Sequence, residues 1–310
     1  MAGTSKIISI GASVPGIGGS VAGLDRALAR LVEAGCEHAE LYAPALFVTV
    51  AGRDNTARVE AVAEVCARHK LAYTLHAPIA VNLMDLVHLD LHVAVLASSI
   101  RFAGRVGASV VVVHPGRVHP QVYLASRAAL LRTEREAVLR VADLAGEHGL
   151  RIGLENLNPN RQMMAGTMTS YALDPVALGE QIAAIGHPAV CGTLDFGHGW
   201  LAAGKLGFDY LSAVRQFAPV VGHLHVTDNC GMPITLVDAS DDEHVGYGMG
   251  DLHLPIGWGS VPYPELLADL PVRDGCRMTL EIMGTHASEL PGSVGVARGF
   301  AAQLNSEALS

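Results

Sequence analysis

The chain has 310 residues, half of them hydrophobic, with a formal net charge of −9 and no apolar run long enough to cross a bilayer. An acidic balance without a Lys/Arg cluster argues against nucleic acid as a partner, and residues 1–20 lack the basic start, apolar run and cleavage site of a secretory signal. Five scattered cysteines (Cys36, Cys66, Cys191, Cys230, Cys276) form no C-x-x-C pair and fit reduced thiols in a cytoplasmic protein.

The apolar run Lys6–Gly11 predicts a first buried strand, and residues 21–34 space apolar side chains at helical intervals until Gly35 stops them. Cys36–Tyr42 reads as strand two, Thr56–His69 as the helix after it, and Leu71–His76 as strand three. Leu89–Val106 is a helix, and the β-branched run from Ala108 through His114-Pro-Gly116 is strand four. Val122–His148 is a long amphipathic helix, Leu150–Asn156 strand five, Pro175–Ile185 a helix with proline in its first turn, and Ala189–Asp195 strand six. A short helix over Phe208–Phe217 precedes strand seven, which opens at Val220 and runs into the polar residues ending at Asn229. Arg277–Glu281 is strand eight, and helices over Tyr263–Leu270 and Ser293–Gln303 complete the chain.

Eight strands alternating with helices, their apolar runs typical of strands covered on both faces, predict an α/β fold. We expect a single (β/α)8 TIM barrel over residues 1–310, with its active site at the C-terminal ends of the strands. The rival, a doubly wound sheet, would need a glycine-rich phosphate fingerprint after strand one, and Gly11-Ala-Ser-Val-Pro-Gly16 does not fit one. The Gly- and Asp-rich segment 229–250 is too long for an ordinary loop and reads as an active-site lid.

Histidine is the unusual component: there are 15, several of them at strand ends. His76, His114, Glu155, Asp195, His225 and Glu281 each stand at the C-terminal end of a predicted strand, and those ends converge in a barrel. His198 follows Asp195 by three residues, while Asp251 and His253, two apart, share one side of an extended segment. Several buried carboxylates and imidazoles sharing one cavity without a cation would be electrostatically expensive, so the pattern predicts a divalent-metal site.

With these residues in view, the chain resembles the xylose isomerase-like barrels, the superfamily that includes endonuclease IV and many sugar-phosphate isomerases and epimerases. The resemblance runs from strand one to strand eight and is carried by Glu155-Asn156, Asp195-Phe-Gly-His198, His225-Val-Thr-Asp228 and Leu280-Glu281. It implies that Glu155, Asp195, His225 and Glu281 hold one metal. His76 in His76-Ala-Pro78, with Asn82 beyond it, and His114 in His114-Pro-Gly116 match extra ligands of the endonuclease IV branch, as do His198, Asp251 and His253. All nine ligand positions of that branch's trinuclear zinc site therefore have a suitable residue here.

Two reactions would use such a cavity. In a sugar or sugar-phosphate isomerase or epimerase, one divalent ion polarises the carbonyl of an open-chain ketose, and an enediolate forms beside the positive charge. The resemblance then makes Glu155 and Glu281 the acid/base pair and has His198 and Arg161 hold substrate oxygens, with Asp228 within reach of ligand or substrate. The alternative is a multinuclear phosphodiester hydrolase in which Glu155 bridges a pair of ions, and the extra ligands favour it. Against DNA as substrate, His76-Ala-Pro-Ile79 stands where the endonuclease branch has His-x-Ser-Tyr, and no basic run accompanies the loops.

The reading is therefore a small carbohydrate or phosphoester substrate, isomerase or epimerase chemistry first, and no membrane partner. The cofactor is one to three divalent ions, Mn, Mg or Co for the oxygen-rich ligands and Zn for the His-rich ones. A homodimer is the base-rate expectation for assembly.

Overall fold

A computed structural model describes residues 5–14, 16–236, 238–268 and 270–307, the side chains of Asp241, Asp242 and Glu307 aside. Eight parallel strands close on themselves: β1 (Ile7–Ser13), β2 (His38–Tyr42), β3 (Ala72–His76), β4 (Ala108–Val113), β5 (Arg151–Glu155), β6 (Val190–Asp195), β7 (Val221–Val226) and β8 (Cys276–Leu280). Each strand pairs with its neighbours in sequence, and β8 returns to β1 in the register Ile10↔Met278 and Ala12↔Leu280. With helices packed around the outside, this is a (β/α)8 TIM barrel. No helix among the described residues is long and apolar enough to cross a membrane.

The expected strands and main helices form, with ends moved by a few residues. The long helix runs from Pro120 to Glu147 and kinks at Ser126, whose φ of −135° is not helical. Strand β8 ends at Leu280, yet Glu281 still donates its N–H to the Val226 carbonyl, so its side chain leaves from a nearly continuous ladder. A helix over Phe196–Leu206 lies in a stretch that sequence periodicity leaves unassigned. Asp195 caps it by accepting from the His198 N–H, and Gly207, at φ 75°, ends it. Its internal glycines disguise it but are required: a Cβ on Gly197 would come within 2.5 Å of Thr227, and one on Gly204 within 2.4 Å of the Gly231 carbonyl.

The barrel interior is unusually polar. His38, Glu40, Thr74, Thr193, His223, His225 and Thr279 are all fully or almost fully buried. Most of them hydrogen-bond to one another in place of an apolar layer: His38 contacts Ser9 Oγ at 3.0 Å and Thr279 Oγ1 at 2.9 Å. Glycine makes room for them, since a Cβ on Gly153 would stand 2.3 Å from Thr193 Oγ1. The apolar core lies outside the barrel, between strands and helices, where Leu24, Leu28, Leu96, Val138 and Phe217 pack.

One outer residue anchors the site from behind. Glu134, on the long helix and fully buried, accepts from the Gly116 N–H, the Tyr171 hydroxyl and Gln181 Nε2. It thereby pins the segment that leaves β4 through His114. Burial pushes its carboxyl upward, while the three donors hold it down. Glu134→Ala would leave the Gly116 N–H and the Tyr171 hydroxyl without an acceptor and Gln181 Nε2 with only the Leu131 carbonyl, and urea unfolding should show a stability loss of about 3 kcal/mol or more.

Candidate metal centre

The strand ends bring most of the predicted ligand residues to a cavity of about 390 Å³ at the C-terminal mouth of the barrel, while Asp195 and His225 are fully buried and not part of its lining. His76 ends β3, His114 follows β4, Glu155 and Asp195 end β5 and β6, His225 lies in β7, and Glu281 follows β8. His198 stands one turn into the helix that Asp195 caps. Asp251 and His253 return from the long connection after β7, where Asp228 and Leu254 exchange backbone hydrogen bonds of 3.1 and 2.9 Å. His253 is held at φ 46°, a left-handed conformation that costs a residue with a Cβ and is common where a side chain must be aimed.

Potential ligand atoms gather into groups whose members lie within 4.8 Å of one another: His76, His114 and Glu155; Glu155, Asp195 and His225; His198, Asp251 and His253. Glu155 belongs to the first two. Glu281 Oε2 stands 3.6 Å from His225 Nδ1 and 3.9 Å from His253 Nδ1, so it joins the second group to the third. Backbone carbonyls set the rings: His76 Nδ1 donates to Ala77 O at 2.7 Å, and His198 Nδ1 to Asn156 O at 2.9 Å. Each ring then turns Nε2 toward the carboxylates, 3.4 Å from Glu155 Oε2 for His76 and 3.1 Å from Asp251 Oδ2 for His198.

Several donors are close together without being aimed at one another. Glu155 Oε2, Asp195 Oδ2 and Asp251 Oδ1 are buried and accept no hydrogen bond, although His114 Nε2 lies 3.0 Å from the first of them. Lone pairs that share a small volume but do not pair with neighbouring protons suit a divalent cation, so these residues fit the metal that the pattern implies.

The charge balance agrees. Burial pushes the Asp195 carboxyl up to about 7, with Glu155, Asp251 and Glu281 adding to it against the pull of His198. Burial lowers His114 to about 4. It also opposes charge on His253, but Asp251 overrides it and carries that imidazole up to about 10.

Beyond the ligand groups the predicted residues take different places. Arg161 opens a short helix, and its Nη2 lies 3.3 Å from His244 Nδ1 in the helix Asp241–Tyr247, tying the loop after β5 to the segment 229–250. Among the described residues it is not part of the cavity wall. Asp228, 2% exposed, accepts the N–H groups of Asn229, Gly257, Gly259 and Val261, so it anchors the loop beyond His253. Asn82 accepts from the Arg117 N–H at 3.0 Å and donates to the Arg117 carbonyl at 2.7 Å, holding the loops after β3 and β4 together.

Comparison with known proteins agrees with this architecture. The profile of the family described as "Xylose isomerase-like TIM barrel" matches residues 28–300. The chain belongs to that family. An uncharacterised protein of Methanocaldococcus jannaschii is 25% identical over 194 residues, 61% of this chain, and the match spans 60% of that relative's length. Among solved structures, a D-tagatose 3-epimerase-like protein superposes with a TM-score of 0.70 at 19% identity, over 97% of this chain and 99% of its own. The D-allulose 3-epimerase of Methylomonas sp. does so with a TM-score of 0.67 at 15% identity, over 97% and 99%. At such identities the likeness is one of fold.

Within this xylose isomerase-like barrel, sequence reasoning passes over Glu40. A signal for it exists, because His38 and Glu40 alternate in a strand otherwise rich in apolar residues. Glu40 Oε2 accepts from His223 Nε2 at 2.9 Å and from Thr74 Oγ1 at 2.8 Å, and Oε1 lies 2.9 Å from His225 Nε2 as a charge contact, neither atom forming a hydrogen bond. The far nitrogen of His225, Nδ1, faces Glu155 at 3.0 Å and Asp195 at 4.0 Å. A carboxylate behind an imidazole orients it and strengthens it as a ligand. Burial alone would raise the Glu40 carboxyl, but His225 and His223 hold it well below the usual range and keep it ionised.

Glu40→Ala should weaken metal binding by about 10–100-fold in competition with a chromophoric chelator, and Glu40→Gln by less. At pH 7 the metal-free site retains a proton on His253 (about 10) and a share of one on Asp195 (about 7), and the surrounding carboxylates, against burial, hold His198 and His225 well above the ordinary imidazole range. Metal uptake must expel these protons, so calorimetry in buffers of different ionisation enthalpy should record release of about one proton or more per chain. Affinity should rise as pH increases from about 6 to 8.

Proposed function

We propose that this chain is a divalent-metal-dependent sugar or sugar-phosphate isomerase or epimerase, with Glu155 and Glu281 as its acid/base pair. The observation that carries the reading is the pairing of these carboxylates across one imidazole: Glu155 Oε1 and Glu281 Oε2 lie 3.0 and 3.6 Å from His225 Nδ1. Two carboxylates converging on one point can take a proton from one face of a carbon and return it on the other. The solved structures named as 3-epimerases support the same chemistry for the shared fold.

Glu155, Asp195, His225 and Glu281 would hold the metal, and His76, His114, His198, Asp251 and His253 are available to hold more. A divalent cation there supplies a Lewis acid for a carbonyl oxygen next to the carbon that loses its proton. The chain supplies the rest. Glu281, partly open to the cavity, and Glu155, buried beneath it, exchange the proton. His198, its Nδ1 fixed on the Asn156 carbonyl, would share its Nε2, now 3.1 Å from Asp251 Oδ2, with a substrate oxygen. Arg161 and Asp228 act indirectly, by holding the loops around the cavity. We read residues 1–310 as one domain and the segment 229–250 as a lid closed through the Arg161–His244 contact.

A second reading has its own support. His76 and His114 close around Glu155, and His198 and His253 around Asp251, which is more ligand capacity than proton transfer needs. A multinuclear hydrolase of small phosphoesters would use all of it.

Elemental analysis of protein purified without added metal or chelator separates the two. About one Mn, Co or Mg ion per chain supports the isomerase or epimerase, and two or three Zn or Fe ions per chain move hydrolysis to the front. With the metal in place, Glu281→Gln should slow exchange of the substrate's α-hydrogen with D₂O by at least about 10²-fold, followed by NMR on a ketose panel. Unchanged exchange would remove Glu281 from the acid/base pair.

A further inference from the structure

We propose that Arg117 is an oxyanion-recognition residue, so that the substrate is an acidic carbohydrate bearing a phosphate monoester or a carboxylate, not a neutral sugar. The inference rests on the isomerase or epimerase reading for the carbohydrate part of the ligand, and on the cavity wall for the anionic part.

The cavity is lined by the carboxylates Glu40, Glu155, Asp251 and Glu281, and among its described lining residues Arg117 is the one Lys or Arg. An arginine charge is permanent, whereas imidazoles serving as metal ligands are neutral. Elsewhere the arginines near acids pair with them, as Arg101 does with Asp54 and Arg105 with Glu60. Among the described residues Arg117 makes no ion pair. Its side chain makes one hydrogen bond, from Nη2 to the carbonyl of Ile79, another residue of the wall. Nε, Nη1 and the second hydrogen of Nη2 remain as donors, so one two-pronged edge that shares Nη2 stays open to a phosphate or carboxylate.

Three further observations make this a built feature. Arg117 is only partly exposed, and burial lowers its pKa, so its charge is partly desolvated without a counter-charge among the described residues. Its backbone is clamped on both sides by the Asn82 amide, so the guanidinium projects from a fixed point. The same wall carries Ser13, Tyr42 and Asn158, whose side-chain polar atoms have no hydrogen-bond partner among the described residues. A polyhydroxylated chain ending in an oxyanion would satisfy this set. Its reacting carbon would lie toward Glu155 and Glu281, and its anion toward the loop after β4.

A bond to the Ile79 carbonyl could also serve merely to join two loops, and binding selectivity distinguishes that role. The experiment is calorimetric titration of metal-loaded wild type, Arg117→Gln and Arg117→Lys with D-fructose, D-fructose 6-phosphate and 5-keto-D-gluconate. Wild type should bind one acidic probe at least tenfold more tightly than fructose, and which one it prefers identifies phosphate or carboxylate as the anion. Arg117→Gln should erase that preference with fructose affinity and metal content unchanged, and Arg117→Lys should keep part of it.

Equal affinity for all three probes in wild type overturns the proposal. So does a preference that survives in Arg117→Gln, which would belong to the metal centre, or failure of every probe to bind. The two readings fail separately. An Arg117-dependent preference without turnover of any ketose would sink the epimerase assignment alone, and fructose epimerisation without anion preference would sink this one alone.

Discussion

Glu155 is 1% exposed, and imidazole nitrogens of His76, His114, His198 and His225 lie 3.0–3.5 Å from its oxygens. A carboxylate so far from water is tolerable only with compensating positive charge, and the protein alone supplies it imperfectly, since one oxygen accepts no hydrogen bond. The surrounding structure follows from that constraint. Asp195, Asp251 and Glu281 add negative charge to the same volume, His225 is braced by a further buried carboxylate, and protons distribute themselves to limit repulsion. Such a cluster is costly to keep unless something else is bound there.

The barrel meets this cost by being polar inside. A TIM barrel interior is ordinarily filled by layers of branched apolar side chains. Here the interior holds the run Ser9, His38, Thr279, His223 and Glu40, linked by hydrogen bonds, and Gly11 and Gly153 leave room for the larger rings and hydroxyls. Apolar burial is displaced outward, to the strand–helix layer. Specific carboxylates then fix the loops that carry the site: Glu134 the loop after β4, and Asp228 the loop beyond His253. Neither lines the cavity, yet both decide where ligand atoms lie.

The cavity has two poles. Carboxylates and imidazoles at the ends of β3 to β8 form one, suited to a cation. The other part of the wall, from β1, β2 and the loop after β4, carries Ser13, Tyr42 and Arg117, an arginine whose charge no acid among the described residues answers. A substrate spanning both would be held at its reacting end by the metal centre and at its far end by Arg117. Binding energy from the far end then positions the reacting end.

Much of this architecture is legible in the order of residues along the chain. Apolar runs ended by polar residues mark all eight strands, and the placement of His76, His114, Glu155, Asp195, His225 and Glu281 at those ends implies one face and one cavity. That inference works because strand direction in a parallel barrel is uniform, so position along the chain converts directly into position in space. The helix Phe196–Leu206 escapes it because its glycines serve contacts with residues 227–231, and such contacts leave no periodicity. Glu40 escapes because its role exists only opposite His223 and His225, 183 residues away in the case of His223. Arg117 and Arg161 are indistinguishable as isolated cations; the fold engages Arg161 with His244 and leaves Arg117 on the cavity wall without an acid among the described residues. Local pattern and strand-end position are therefore enough to point to the barrel and to the set of candidate ligand residue types. Which polar groups face one another across the barrel, and which charge is left unanswered, emerges only on folding, because distances between remote residues are not encoded in chain order.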